Sequence, residues 1–383
     1  MPVLLERRNR AEAYMRRMAT VLWRATEDLV WTKKSGISAP EEWGEPPLVV
    51  RAGRLYRGIP YSFAGLPAAN FYQYFGDKDQ KGFPTVSGLT WKHLNGSSVL
   101  GVARVGNDCS GSIQLAWDYI GANILFASTA EMTRTNGYLP VGAYEADTIK
   151  HTDTVADCEK NGLQTMFAAY AQLQKADGVV NRQNGAGHTM MVTGLQVVRN
   201  EDGTIDGEKS YITMLHQVSK YLREEAYIYD EALGENVYKT YGVEDVFTFK
   251  QLFDEGYLPI TCDVLTDPNA QKEIWRRDTE EASGIETIFK GQFVSSRPIA
   301  FVTVTVKDQT GLKIMEQRCF NYRQAEQFPF AFDLSRFETE PAFLMQGNLN
   351  LKELAPGTYH CTHVLTDAHG GEHTMRDFDF TVE

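Results

Sequence analysis

A chain of 383 residues exceeds what one hydrophobic core usually organises, and so points to two domains. Hydrophobic residues make up 43% and charged residues 23%, ordinary for a water-facing folded protein, and no run approaches the roughly 18 apolar residues that a membrane span needs. The net charge of −12 argues against nucleic acid as a partner, because phosphate binding relies on clustered Lys and Arg.

The chain opens MPVLLERRNRAEAYMRRMATVLW, with Glu6, Arg7, Arg8 and Arg10 directly after a short apolar run, and so lacks the apolar middle of a secretory signal. From Arg10 to about Lys33, residues Ala11, Tyr14, Met18, Val21, Leu22 and Ala25 recur at helical spacing, which predicts an amphipathic helix with its arginines on a solvated face. Residues 1–45 therefore read as an N-terminal helical segment. Residues 46–267 mix helical stretches (Ser112 to Ile120, Asn161 to Lys175) with alternating strands (Thr189 to Val198, Ser210 to Val218), an α+β pattern. The polar run 268–283 reads as a linker or short exposed helix. Residues 284–383 then give ETIFKGQF, AFVTVTVKD, AFLMQGNLNL, GTYHCTHVLTD and DFDFTV between turn signals, which predicts an all-β, immunoglobulin-like sandwich.

Cys109, Cys158, Cys262, Cys319 and Cys361 are too scattered for a disulfide scaffold, and no CxxC pair suggests zinc. Cys319 and Cys361 read as small buried strand residues rather than a bridge. His360, Cys361, His363, His369 and His373 crowd together near the C-terminus, but strand alternation puts Cys361 and His363 on one face and His360 on the other. No metal and no other cofactor is expected.

The chemistry gathers in three places. Gly106-Asn107-Asp108-Cys109-Ser110-Gly111 leads into SIQLAWDYI, which sets Cys109 in the first turn of a helix that Asp108 can cap. Unpaired N–H groups there, that of Ser110 among them, and the positive end of the helix dipole favour thiolate and can hold an oxyanion. His188 begins a strand entered through Gly185 and Gly187, accessible as a base. That strand turns at Arg199-Asn200-Glu201-Asp202-Gly203 and returns through SYITMLHQV. An odd loop centred on Asp202 brings His216 to the face of His188, and an even loop brings Gln217 there. Either can fix the tautomer of the base as third member of a triad.

These residues resemble the NlpC-type cell-wall cysteine peptidases, compact papain-like enzymes that cleave peptidoglycan stem peptides. Four segments match in order: Gly58-Ile59-Pro60-Tyr61-Ser62, Asp108-Cys109-Ser110-Gly111, LQKADGVV followed by GHTMMVTG, and Leu215-His216. The resemblance, over about Leu55 to Val218, implies a papain-like domain with Cys109 as nucleophile, His188 as base, His216 as third polar residue and Tyr61 near the nucleophile as an oxyanion or substrate contact. It also implies a peptide or peptidoglycan substrate and an extracellular or wall-associated site of action. Two features depart from the family. The stretch between Tyr61 and Cys109, with Phe71, Tyr72, Tyr74, Phe75 and Trp91, is several times longer, and Lys175-Ala176-Asp177 stands where the family has a Pro-Gly-Asp turn. Two alternatives stay open: a wall-binding module without turnover, and an amidase or acyltransferase acting on a non-wall amide.

Overall fold

The structure is a computed structural model, and it describes residues 2–31, 48–61, 71–72, 75–86, 106–281, 284–320, 329–334 and 354–383. Helix α1 (Pro2–Thr20) precedes β1 (Leu22–Ala25), β2 (Leu29–Trp31), β3 (Leu48–Val50), β4 (Leu55–Arg57), β5 (Phe75–Lys78) and β6 (Pro84–Val86). Then come α2 (Cys109–Tyr119), β7 (Tyr138–Pro140), α3 (Thr154–Asn161), α4 (Leu163–Tyr170), β8 (Gly178–Gln183), β9 (Ala186–Gln196) and β10 (Tyr211–Gln217). They are followed by α5 (Ser219–Arg223), β11 (Tyr227–Asp230), β12 (Glu235–Lys239), β13 (Tyr241–Thr248), α6 (Phe249–Asp254), β14 (Leu258–Cys262) and α7 (Asp263–Thr266). The C-terminal part holds β15 (Arg276–Asp278), β16 (Gln292–Ser295), β17 (Ile299–Lys307), β18 (Lys313–Phe320), β19 (Phe330–Asp333), β20 (Gly357–Asp367) and β21 (Glu372–Val382). With about 24% helix and 39% strand in several sheets, the class is mixed helix and sheet. No helix among the described residues is long and apolar enough to cross a membrane.

The N-terminal helix differs from its predicted span. It starts at Pro2, whose missing N–H is no loss in a first helical turn. It stops at Thr20, where Leu22 to Ala25 switch to alternating burial and fully buried Trp23 donates its indole N–H to Gly58 O at 2.8 Å. Val21, Leu22 and Ala25 fit helical spacing by coincidence with that alternation. The arginines are not simply a solvated face: Arg8 is buried, pairs with Asp177 at 2.8 Å and donates to Leu265 O at 2.9 Å, while Arg7 donates to Val264 O and Asp267 O.

A six-stranded sheet, order β13-β10-β9-β8-β14-β7, carries α2 on one face. Every α2 residue from Cys109 to Asp118 is buried, because α1 packs against α2 while β9 and β10 back it. Its Trp117 donates to Ala176 O at 2.8 Å, which ties the helix to the turn before β8. A second six-stranded sheet, order β11-β12-β4-β1-β6-β5, supports the Gly58–Tyr61 segment that follows β4. Phe71, from the long stretch after Tyr61, packs edge-on against Trp23 as a core residue, whereas Tyr74 and Trp91 lie outside the described residues.

The C-terminal strands form a three-stranded sheet (β15-β16-β19) and a four-stranded sheet (β18-β17-β20-β21) around a core of their own. The predicted strand ETIFKGQF starts only at Gln292, since Ile285–Thr287 is a 3₁₀ turn, and AFLMQGNLNL lies outside the described residues. The polar run 268–283 is not a bare linker: β15 pairs with β16, and Lys272, 4% exposed, sets its ammonium 3.1 Å from fully buried Asp118. The other oxygen of Asp118 lies 2.6 Å from His369 Nε2, from the turn between β20 and β21, and His369 Nδ1 lies 3.0 Å from the Tyr14 hydroxyl. One knot of side chains thus joins α1, α2 and the C-terminal sheets. All five cysteines are unbridged, and Cys361 and His363 face inward while His360 sits outside between Asp377 and Asp379.

Candidate active site

Cys109 is the first residue of α2 and 6% exposed. Asp108 caps the helix, its Oδ1 accepting the Gly111 N–H at 2.6 Å and the Ser110 hydroxyl at 3.0 Å. Ser110 therefore commits its hydroxyl to the cap and offers the thiol only its backbone N–H, beside that of Thr189. Those N–H groups favour the thiolate, yet burial first and the Asp108 carboxylate second push the Cys109 thiol up to about 12. Burial thus works against the thiolate that the helix start favours.

Tyr61 reaches the same sulfur. Its hydroxyl and the Cys109 thiol share one buried environment, and burial holds the tyrosine's ionisation far above the usual range. Its position is set through a parallel bridge to Asn107 and by the side chain of Gln217, whose Nε2 donates to Ile59 O and Pro60 O at 2.9 Å each. Gln217 Oε1 in turn accepts the Ser112 hydroxyl of α2 at 2.9 Å. Gln217, one of the two predicted partners of His188, thus serves as a clip between the Pro-Tyr segment and the nucleophile helix.

His188 Nε2 lies 2.7 Å from His216 Nδ1. The hairpin reaches this arrangement by two register shifts whose effects on side-chain face cancel. Its tip is centred on Asp202, with Arg199 bridged to Ile205. The turn from Asp206 to Ser210 then adds residues to the return strand, so that Tyr211 pairs with Gln196 and Thr213 with Gly194. That register, carried on, would put Gln217 on the face of His188. An extra residue in β9, Thr193, makes Met214 pair with Val192 and turns His216 onto that face instead. Burial and the neighbouring His216 push His188 down to about 3, which favours the neutral imidazole at physiological pH.

The polar line continues beyond the predicted residues. His216 Nε2 lies 3.0 Å from Asp245 Oδ2, and the Tyr221 hydroxyl donates to the same oxygen at 2.8 Å. These contacts hold the Asp245 carboxyl below its ordinary range against a partial burial that opposes them. Asp245 reaches His216 because β13 is itself bulged at Glu244, which adopts φ 57°, so Met214 pairs with Asp245 but Leu215 with Val243. A glycine is required opposite His216: a Cβ on Gly242 would sit 2.3 Å from His216 Nε2 and 2.2 Å from Asp245 Oδ2. Sequence reasoning missed Asp245 and Tyr221, since neither belongs to a recognisable segment and their approach depends on a bulge that Val-Glu-Asp-Val does not announce.

A cavity of about 500 Å³ lies elsewhere, lined by Arg134, Tyr144, His151, Asp157 and Lys160 among others, and includes none of Cys109, His188, His216 and Asp245. Among the described residues no group of three or more His, Cys, Asp or Glu side chains is placed to hold a metal. No protein-family model matches this chain, and no curated protein matches it.

Proposed function

We propose that this protein is a cysteine hydrolase that cleaves amide bonds, those of peptidoglycan stem peptides by its resemblance to NlpC-type peptidases. In this reading a papain-like domain carries the chemistry and an immunoglobulin-like sandwich follows it. The observation that carries the proposal is the continuous line His188–His216–Asp245 arriving at the strand beside the helix-initial Cys109. With thiol and imidazole both neutral at rest, His188 acts as a general base: its Nδ1 takes the thiol proton as Sγ attacks the carbonyl carbon. The N–H groups at the start of α2 and the Tyr61 hydroxyl receive the oxyanion. The proton then passes to the departing amine, and water, activated by the same imidazole, hydrolyses the thioester. Wall peptides as substrate place this action outside the cell or in the wall.

A second reading, a wall-binding module without turnover, is favoured by one observation: the Cys109 thiol is buried, which pushes its ionisation up. Muropeptides incubated with wild-type protein and with Cys109→Ala, analysed by mass spectrometry, separate the two. A new cut present only with wild type supports the hydrolase and names its bond. Intact peptides in both samples, with peptide retained by both proteins, sink the hydrolase in favour of the module. Product trapped on an added amine assigns acyl transfer.

A further inference from the structure

The imidazole of His216 is held at both ends, by His188 at Nδ1 and by Asp245 at Nε2. An ionised carboxylate can only accept, so the proton between His216 and Asp245 belongs to His216 Nε2. A neutral His216 then presents a bare Nδ1, which at 2.7 Å from His188 Nε2 must accept, so His188 carries its proton on Nε2. What remains on His188 is an unprotonated Nδ1, the nitrogen a base needs. If Asp245 did not impose this order, the opposite one would be equally available: His216 protonated on Nδ1 donating to His188 Nε2, and His188 protonated on Nδ1, unable to accept from a thiol.

We infer that Asp245, held by the Tyr221 hydroxyl, is a positioning residue that sets the tautomers of both histidines and so makes His188 a base toward Cys109. The inference rests on the hydrolase reading for its catalytic consequence but not for its structural one. Asp245 touches neither thiol nor substrate. It acts two imidazoles away, and its side-chain hydrogen-bond partners among the described residues are His216 Nε2 and the Tyr221 hydroxyl, both on Oδ2. The surroundings are built for the purpose: the Glu244 bulge delivers the carboxylate, and Gly242 leaves room for it.

Asp245→Asn tests the assignment with little change of shape. Its amide can donate to His216 Nε2 as readily as accept, so the directional bias is lost. Nitrogen-15 NMR of histidine-labelled full-length protein reads the tautomers without needing turnover. In wild type both His188 and His216 are expected in the Nε2–H form. In Asp245→Asn the Nδ1–H form appears at both, and kcat on the amide substrate falls roughly 10²-fold or more with KM little changed. Tyr221→Phe, which removes only the hydroxyl, keeps the wild-type tautomers and loses no more than about tenfold in kcat. A merely structural role for Asp245 lowers the folded fraction and leaves the tautomers of the folded molecules alone. Unchanged tautomers in Asp245→Asn, or a wild-type His216 protonated on Nδ1, overturn the inference. So does a changed tautomer with kcat intact. If wild type cleaves no amide, the hydrolase reading fails by itself, and the NMR result still decides what Asp245 does.

Discussion

At Cys109 two consequences of one placement compete. The helix start offers N–H donors that favour a thiolate, while burial and the capping carboxylate of Asp108 oppose it and prevail. The two roles of Asp108 are separable, because asparagine caps a helix about as well as aspartate but carries no charge. Asp108→Asn is expected to lower the Cys109 pKa and speed alkylation by iodoacetamide at pH 8 several-fold, at nearly unchanged stability. Asp108→Ala also loses the cap, costing about 1 kcal/mol in urea unfolding. Equal alkylation rates in Asp108→Asn and wild type would show that the carboxylate does not restrain the thiol. At the other end of the line, Gly242→Ala forces His216 and Asp245 apart, because the added methyl would occupy the space where they meet. Amide hydrolysis should fall at least about tenfold with the melting transition still cooperative. Retained activity would mean that the pair can re-form around the methyl.

Among the elements, the helix that carries Cys109, the strand that carries His188 and the return strand were all legible from periodicity and turn signals. The faces of those strands were not. One residue of slip turns every side chain over, and this hairpin slips twice, once at the Asp206–Ser210 turn and once at Thr193. Neither Thr193 nor Glu244 differs from an ordinary strand residue in composition, so the choice of His216 over Gln217, and the arrival of Asp245, could be read only from the pairing. The opposite holds at the turn before β8. Ala176 adopts φ 68°, the left-handed conformation that glycine accepts most easily. Its methyl is fully buried, so the left-handed strain of about 1 kcal/mol is largely offset by burial of about 0.8 kcal/mol. Ala176→Gly should therefore stay within about 1 kcal/mol of wild type by denaturant unfolding. Ala176→Val, with a branched side chain in the same conformation, should cost about 2 kcal/mol or more. Equal stability of the two variants would contradict the observed backbone at this turn.

For the whole molecule, acid is the expected weakness. His188 and His363 are pushed by burial down to about 3 and about 4, and burial lowers His151 as well. Unfolded, each takes up a proton near pH 6.5, while folded they resist it, so the unfolded state binds more protons below that pH. Stability should therefore hold above about pH 6.5 and fall as pH drops toward 4, His363 alone accounting for about 3 kcal/mol across its full window. Asp118 and Asp245, whose carboxyls their partners hold below the usual range, add to the loss at still lower pH. A melting temperature that stays level from pH 7 to 4.5 would rule this out. The Asp118 knot invites a second measurement. Lys272→Met takes the ammonium from a fully buried carboxylate, leaving it His369 among the described residues, and should cost about 3 kcal/mol or more.

Asp118 lies one helical stretch away from Cys109 on the same α2, and the imidazole that meets its carboxylate comes from the far C-terminal turn. The two halves of the chain are therefore not interchangeable parts. A recombination that grafted the first 267 residues onto a different C-terminal partner would deliver the nucleophile helix with a buried anion deprived of both Lys272 and His369. Such a hybrid would have to bring its own cation to that spot or replace Asp118 in the same step, so descent of this architecture should keep the two halves together.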